Sequence, residues 1–258
     1  GPANLVSIQD CLLRYLSASG SSPTGVFRFD EWALDMAGCT FDGITVPGDD
    51  VNENGFIRTY NRWATVDRCI LRNITMSSEA AALFLFNRGA PHVVRNSLIH
   101  GVTGGTNRPA IGGFRSSPQV RNCTIDSVPT VFRGPDDNAT NIISAYNCSV
   151  SSCTNLNQAY SDRLRLYNVN VYNTPYGQGY DLVLSTNVTT FDPLYREPAG
   201  NNYRLWASSP LRNAGDNSYV EGAQDLDGLL RIYPAGGIVD IGAYECVPPP
   251  GGSVLIIR

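Results

Sequence analysis

The chain has 258 residues, 42% of them hydrophobic and 16% charged, with a formal net charge of −4. That is enough apolar material for a substantial core, and it excludes a disordered tail, a disulfide miniprotein and a collagen-like fibre. All 19 basic residues are arginine, so chemistry that needs a lysine is unavailable. An acidic balance without a basic stripe argues against nucleic acid and anionic membrane as partners. No apolar run approaches the roughly 20 residues of a membrane span.

Gly1-Pro2 reads as a processing or tag scar, after which the chain begins to repeat itself. Seven reference positions, Cys11, Cys39, Cys69, Ser97, Cys123, Cys148 and Val169, recur at spacings that shorten from 28–30 to 21 residues. Three positions before them stand Ile8, Met36, Val66, Val94, Val120, Ala145 and Leu166, and two after them Leu13, Phe41, Leu71, Ile99, Ile125, Val150 and Val171. Every member of both columns is apolar. Residues one and three after the reference are mostly polar or charged, which is the alternation of a strand with one buried face. The position before each reference holds Asp10, Gly38, Arg68, Asn96, Asn122, Asn147 or Asn168, and the position four after holds Tyr15, Gly43, Asn73, Gly101, Ser127, Ser152 or Asn173. Glycine and asparagine tolerate positive φ, so both columns are predicted to be bends.

Between these segments a further apolar strand is predicted in each repeat, at Val26 to Phe29, Phe56 to Thr59, Leu83 to Phe86, Ile111 to Phe114 and Val131 to Arg133. A unit of this size with short strands and no helical periodicity buries its inner face only by stacking on its neighbours. The repeat resembles the right-handed parallel β-helix of the pectate-lyase-like superfamily. The expected fold is therefore all-β, a right-handed parallel β-helix of about seven or more coils with a C-terminal cap. A β-sandwich, the rival, predicts alternation without matched columns at repeat spacing.

From Phe191 the repeat gives way to Phe191-Asp192-Pro193-Leu194, Tyr203-Arg204-Leu205, Ser209-Pro210-Leu211, Asp225-Leu226-Asp227-Gly228 and Val239-Asp240-Ile241-Gly242-Ala243-Tyr244-Glu245. This series is similar to the C-terminal region of bacterial extracellular β-helix proteins that carry a choice-of-anchor domain. The resemblance implies a secreted or cell-surface location and a fold, not a reaction. The expected organisation is coils over 1–190, a C-terminal coil or cap that hides the open end over 191–246, and a Pro/Gly linker with a terminal strand over 247–258. That strand, Val254, Leu255, Ile256 and Ile257, is the candidate for self-assembly.

Six of the seven cysteines fall at inward positions and are expected to act as small apolar core residues. With two histidines and no Cys-x-x-Cys, a zinc site is not expected. Five Asn-x-Ser/Thr sequons read as compositional in so Asn- and Ser-rich a chain.

The outward position three after each reference carries Arg14, Asp42, Arg72, His100, Asp126, Ser151 and Tyr172, and Arg28 and Arg58 belong to a second column. One reading is a groove for an acidic or hydroxyl-rich glycan, since arginine pairs bidentately with carboxylates and aromatic rings stack on sugars. The other is that alternating Arg and Asp neutralise neighbouring rungs. Arg133, Asp136 and Asp137 share a loop that a catalytic reading would place over the groove. β-Helix lyases, as the resemblance implies, hold Ca²⁺ on clustered Asp against a uronate and use Arg or Lys as the base. Asp136, Asp137, Asp225 and Asp227 are the metal candidates, and calcium the cofactor such a lyase would require. Asp225 and Asp227 otherwise join a structural network with Arg231, Asp240 and Glu245. Three functions stay open: a module that binds polysaccharide or the cell envelope in an adhesive or structural role, a calcium-dependent lyase, and a filament or sheath subunit.

Overall fold

A computed structural model of the chain describes residues 4–16, 27–46, 55–76, 82–89, 91–104, 109–133, 141–158, 163–176 and 181–247. Asp136, Asp137 and the terminal strand Val254 to Ile257 lie outside the described residues. The chain is a parallel β-solenoid with three faces. The first face stacks eight strands: Leu5–Gln9, Ala33–Ala37, Ala64–Asp67, His92–Arg95, Gln119–Arg121, Ile143–Tyr146, Arg163–Tyr167 and Asp181–Thr186. The second runs through Leu12–Arg14, Thr40–Asp42, Ile70–Met76, Leu98–Gly104, Thr124–Asp126, Ser149–Ser151 and Asn170–Tyr172, with Thr45–Val46 beside the third of these. The third stacks six: Phe27–Asp30, Gly55–Tyr60, Ala82–Asn87, Pro109–Phe114, Thr130–Arg133 and Asn155–Gln158. Six coils therefore carry a strand on all three faces, and a seventh and the start of an eighth follow.

The pairing register reproduces the sequence columns residue for residue. Ile8, Met36, Val66, Val94, Val120, Ala145 and Leu166 lie opposite one another on the first face. Leu13, Phe41, Leu71, Ile99, Ile125, Val150 and Val171 do so on the second. A slip of one residue would send every one of these side chains to solvent, so burial holds the register. The third face adds Ile57, Phe84, Ile111 and Phe132, and together the columns form one continuous core. Its early coils are filled with rings: Phe27, Phe41 and Phe56 meet edge to face at 5.3–6.1 Å. Its later coils carry Ala145, Cys148 and Val150, which suits their shorter circumference.

Both predicted bend columns adopt the left-handed conformation. Between the first and second faces φ is 49–67° from Asp10 to Asn168, and after the second-face reference strands it is 45–68° from Tyr15 to Asn173. Glycine is required at Gly104, at the end of the Leu98–Gly104 strand, where φ is 84° and an added Cβ would stand 1.8 Å from the backbone carbonyl oxygen of Met76. The cysteines at the bend point inward and are all free. Their thiols donate across the turn to the carbonyl two residues back, as from Cys69 to Asp67 at 3.3 Å and Cys148 to Tyr146 at 3.2 Å. Ser97 takes the same role with a shorter bond, 2.6 Å to the Arg95 carbonyl. No helix among the described residues is long and apolar enough to cross a membrane.

Candidate binding cleft

The outward column of the second face is in register throughout: Arg14, Asp42, Arg72, His100, Asp126, Ser151 and Tyr172 lie on successive rungs. Its first three members neutralise one another. Arg72 donates to the Asp42 carboxylate at 2.9 Å, Arg14 approaches it at 3.8 Å, and Asn73 donates at 2.8 Å. Burial pushes the Asp42 carboxyl up, but the bonds from Asn73 and Arg72 outweigh it and hold it below its ordinary value.

Beyond Arg72 the column is covered. Residues 191–247 pack along the corner between the first and second faces and over the second face. Arg95 and Arg121 reach Glu221 at 3.5 and 3.4 Å, and Arg68 donates to Gln224 at 3.0 Å. The side chain of Asn147 imitates a backbone pair, donating to the Asp216 carbonyl and accepting from its N–H, both at 2.9 Å. The bend residue Asn96 makes a second such contact, its amide donating to the Glu221 carbonyl at 3.4 Å. At Gly242 the segment touches the coil directly, donating to the Asn147 carbonyl at 2.9 Å, and an added Cβ would meet Thr124 at 2.8 Å. Leu98, Tyr203, Ala243 and Tyr244 form a small core of their own between the two parts.

The C-terminal segment is itself organised around Arg231, which is 1% exposed. Its guanidinium donates to the carbonyls of Ala243 at 2.9 Å, Asp240 at 3.2 Å and Gly242, and stands 4.0 Å from Glu245. Asp225 accepts from the N–H groups of Asp227, Leu229 and Glu245 at 2.8–2.9 Å, and Asp240 from those of Asn213 and Cys246 at 2.6 Å. Burial raises the carboxyls of Asp225 and Asp240. Burial and the neighbouring Asp240 raise Glu245 to about 8, against the pull of Arg231. Asp227 is gripped by Arg204, whose Nε donates at 2.6 Å and whose guanidinium lies 4.9 Å over the Tyr244 ring. The two metal candidates in this segment therefore already hold backbone turns and an ion pair.

Between the segment and the second face a cleft of about 500 Å³ opens. Asp126, Ser151 and Tyr172 of the column form its floor, with Ser127 and Ser152 beside them; Asp192, Leu194, Tyr195, Tyr203 and Trp206 form its wall. Asp126 is 6% exposed and accepts from Ser151 at 2.6 Å, Ser127 at 2.7 Å and Tyr203 at 2.9 Å. Tyr195 shares a bond of 2.7 Å with Ser149 and meets Tyr203 edge to face at 5.1 Å. Burial drives the phenols of Tyr195 and Tyr203 well above the ordinary tyrosine value, so both remain protonated. Asp192 accepts from the Leu194 N–H at 2.9 Å and from the Tyr172 hydroxyl at 3.4 Å. Trp206 is 53% exposed.

The remaining sequence candidates fall elsewhere. His100 points away from the core as its register requires, but Tyr203 lies over it at 4.8 Å and leaves it 3% exposed. Burial lowers its pKa to about 4 despite the nearby Asp126, so its ring is neutral. Arg28 and Arg58 occupy adjacent rungs of the third face, Arg28 paired with Asp30 and Arg58 buried at 4% exposure beside Tyr60. Arg133 ends a strand of the same face, opposite Gly112, whereas the cleft lies over the second. Sequence reasoning missed Asp192, Tyr195, Tyr203 and Trp206 as site residues, although the motifs around Asp192 and Tyr203 stood out. No protein-family model matches the chain, and no curated protein matches it.

Proposed function

We propose that this chain is a glycan-binding β-solenoid module and that the cleft over its second face holds the sugar. The observation that carries this reading is the composition of the cleft: the rings of Tyr172, Tyr195, Tyr203 and Trp206 stand around the carboxylates of Asp126 and Asp192 and the hydroxyls of Ser151 and Ser152. Rings offer apolar area to the faces of a pyranose, and fixed carboxylates and hydroxyls accept from and donate to its edges. The floor is rigid because each of its residues sits in a parallel ladder. The reading takes a secreted or cell-surface, adhesive or structural setting, which is what the likeness of the C-terminal signature to bacterial extracellular β-helix proteins implies. The charged groups that line the cleft are both acidic, which disfavours the uronate substrates of the lyase reading.

The test is retention of the purified chain on insoluble polysaccharides, with isothermal titration against soluble oligosaccharides and analysis of the sugars for new ends. Retention that falls about tenfold in Trp206→Ala and in Tyr172→Ala, the loss expected of truncated aromatic anchors, supports the reading. Retention unchanged in both variants removes the cleft as the site. New unsaturated ends would replace binding by a lyase.

A further inference from the structure

Resting on that reading, we infer that the cleft selects glycans whose sugars carry a free, protonated amine. Asp126 carries the argument. Its carboxylate is 6% exposed and lined against the cleft, and its three partners, Ser151, Ser127 and Tyr203, are neutral hydroxyl donors. None of the three carries a charge that would cancel its own. Its rung neighbours are His100 on one side, uncharged at neutral pH, and Ser151 on the other. The next cation along the column, Arg72, is committed to Asp42.

Asp192 brings a second carboxylate to the opposite side, bonded to a backbone N–H and to a tyrosine hydroxyl. Arg196 donates to the Leu205 carbonyl at 3.2 Å and lies 5.6 Å over the Trp206 ring, and it is not among the lining residues. The cleft is therefore a concave, ring-walled space whose lining, among the described residues, holds two carboxylates and no cation. Low-dielectric walls concentrate such a field. A uronate entering it meets repulsion, a neutral sugar gains nothing from it, and an ammonium is attracted by both carboxylates while the rings, whose faces are negative, add a favourable contact.

The experiment is isothermal titration of the chain with three oligosaccharides of equal length: glucosamine, its N-acetylated counterpart and galacturonate. Each is run at low and at raised ionic strength, on the wild type, Asp192→Asn and Trp206→Ala. Asparagine keeps the oxygen that accepts from Leu194, so the turn survives. The amine oligomer is expected to bind at least tenfold tighter than the acetylated one. That margin shrinks with salt and in Asp192→Asn, whereas Trp206→Ala weakens both oligomers alike. Equal affinity for the acetylated oligomer, or tightest binding of galacturonate, overturns the amine selectivity and leaves the cleft as a glycan site. Absence of binding by all three overturns the selectivity and the glycan reading together.

Discussion

The two halves of the outward column on the second face share one register and one strand geometry, yet they do different things. Around Asp42 the column faces solvent, and its charges answer one another across rungs with Arg14 half exposed. Around Asp126 the same column lies under the C-terminal segment, its partners are hydroxyls and rings, and a cleft remains. The strand ladder cannot tell these halves apart. What separates them is a cover that excludes water, under which a carboxylate must be satisfied by fixed donors and a histidine stays neutral.

The strongest way to break the comparison is to release the cover. Arg231→Met leaves the buried acidic groups of Asp225, Asp240 and Glu245 without their cation and three carbonyls without a donor; a loss of about 3–5 kcal/mol is expected. Chemical denaturation, followed through the fluorescence of Trp206 against that of a variant lacking it, should show the segment detaching ahead of the coils. Coincident unfolding of both parts would show that the segment and the solenoid are one cooperative unit.

Tyr203→Phe keeps the ring over His100 but removes the donor to Asp126. A cost of about 1.5–3 kcal/mol is expected, as for a buried bond to a charged group, read from the denaturation midpoint. A cost near zero would mean that Ser127 and Ser151 satisfy Asp126 by themselves.

The covered half also predicts a pH dependence. Glu245 has its folded pKa raised from its ordinary value of 4.5 to about 8, so the folded chain binds the proton more tightly than the unfolded one. Stability from this group is complete below about pH 4.5 and is lost as pH rises toward 8, by an amount on the order of a few kcal/mol. Asp225 and Asp240, also raised, act in the same direction. Glu245→Gln should flatten this alkaline limb in melts taken across the range; an unchanged limb would assign it to other groups. His100 acts at the other end: its lowered pKa makes stability fall as pH drops from its ordinary range toward 4.

The smallest effect belongs to the open half. Arg14→Ala removes a 3.8 Å contact from a side chain that is 49% exposed, and less than about 1 kcal/mol is expected. A larger loss by denaturant titration would show that the exposed ladder contributes more than neutrality.

The solenoid is legible in the sequence because it is periodic. Cys39, Cys69, Cys123 and Cys148 mark the inward turn, the bend positions carry residues that tolerate positive φ, and two apolar columns recur in step, so each repeat reports the same local geometry. The outward column is legible for the same reason, and seven of its members stand where their spacing places them. His100 shows the limit. Its direction followed from parity, whereas its burial depends on Tyr203, 103 positions further along by number, which no repeat announces.

The sequence by itself determined the two faces on either side of the first bend, their register and the side chains these send into the core, because stacking similar units is a nearest-neighbour problem that a column of residues can encode. Only the tertiary structure decided where residues 191–247 lie. Their docking rests on single bonds between distant parts, such as the Ala243 N–H to the Thr124 hydroxyl across 119 residues and Asn147 to Asp216 across 69. Such contacts depend on the shapes of two finished surfaces, and that meeting converts part of a polar face into a cleft.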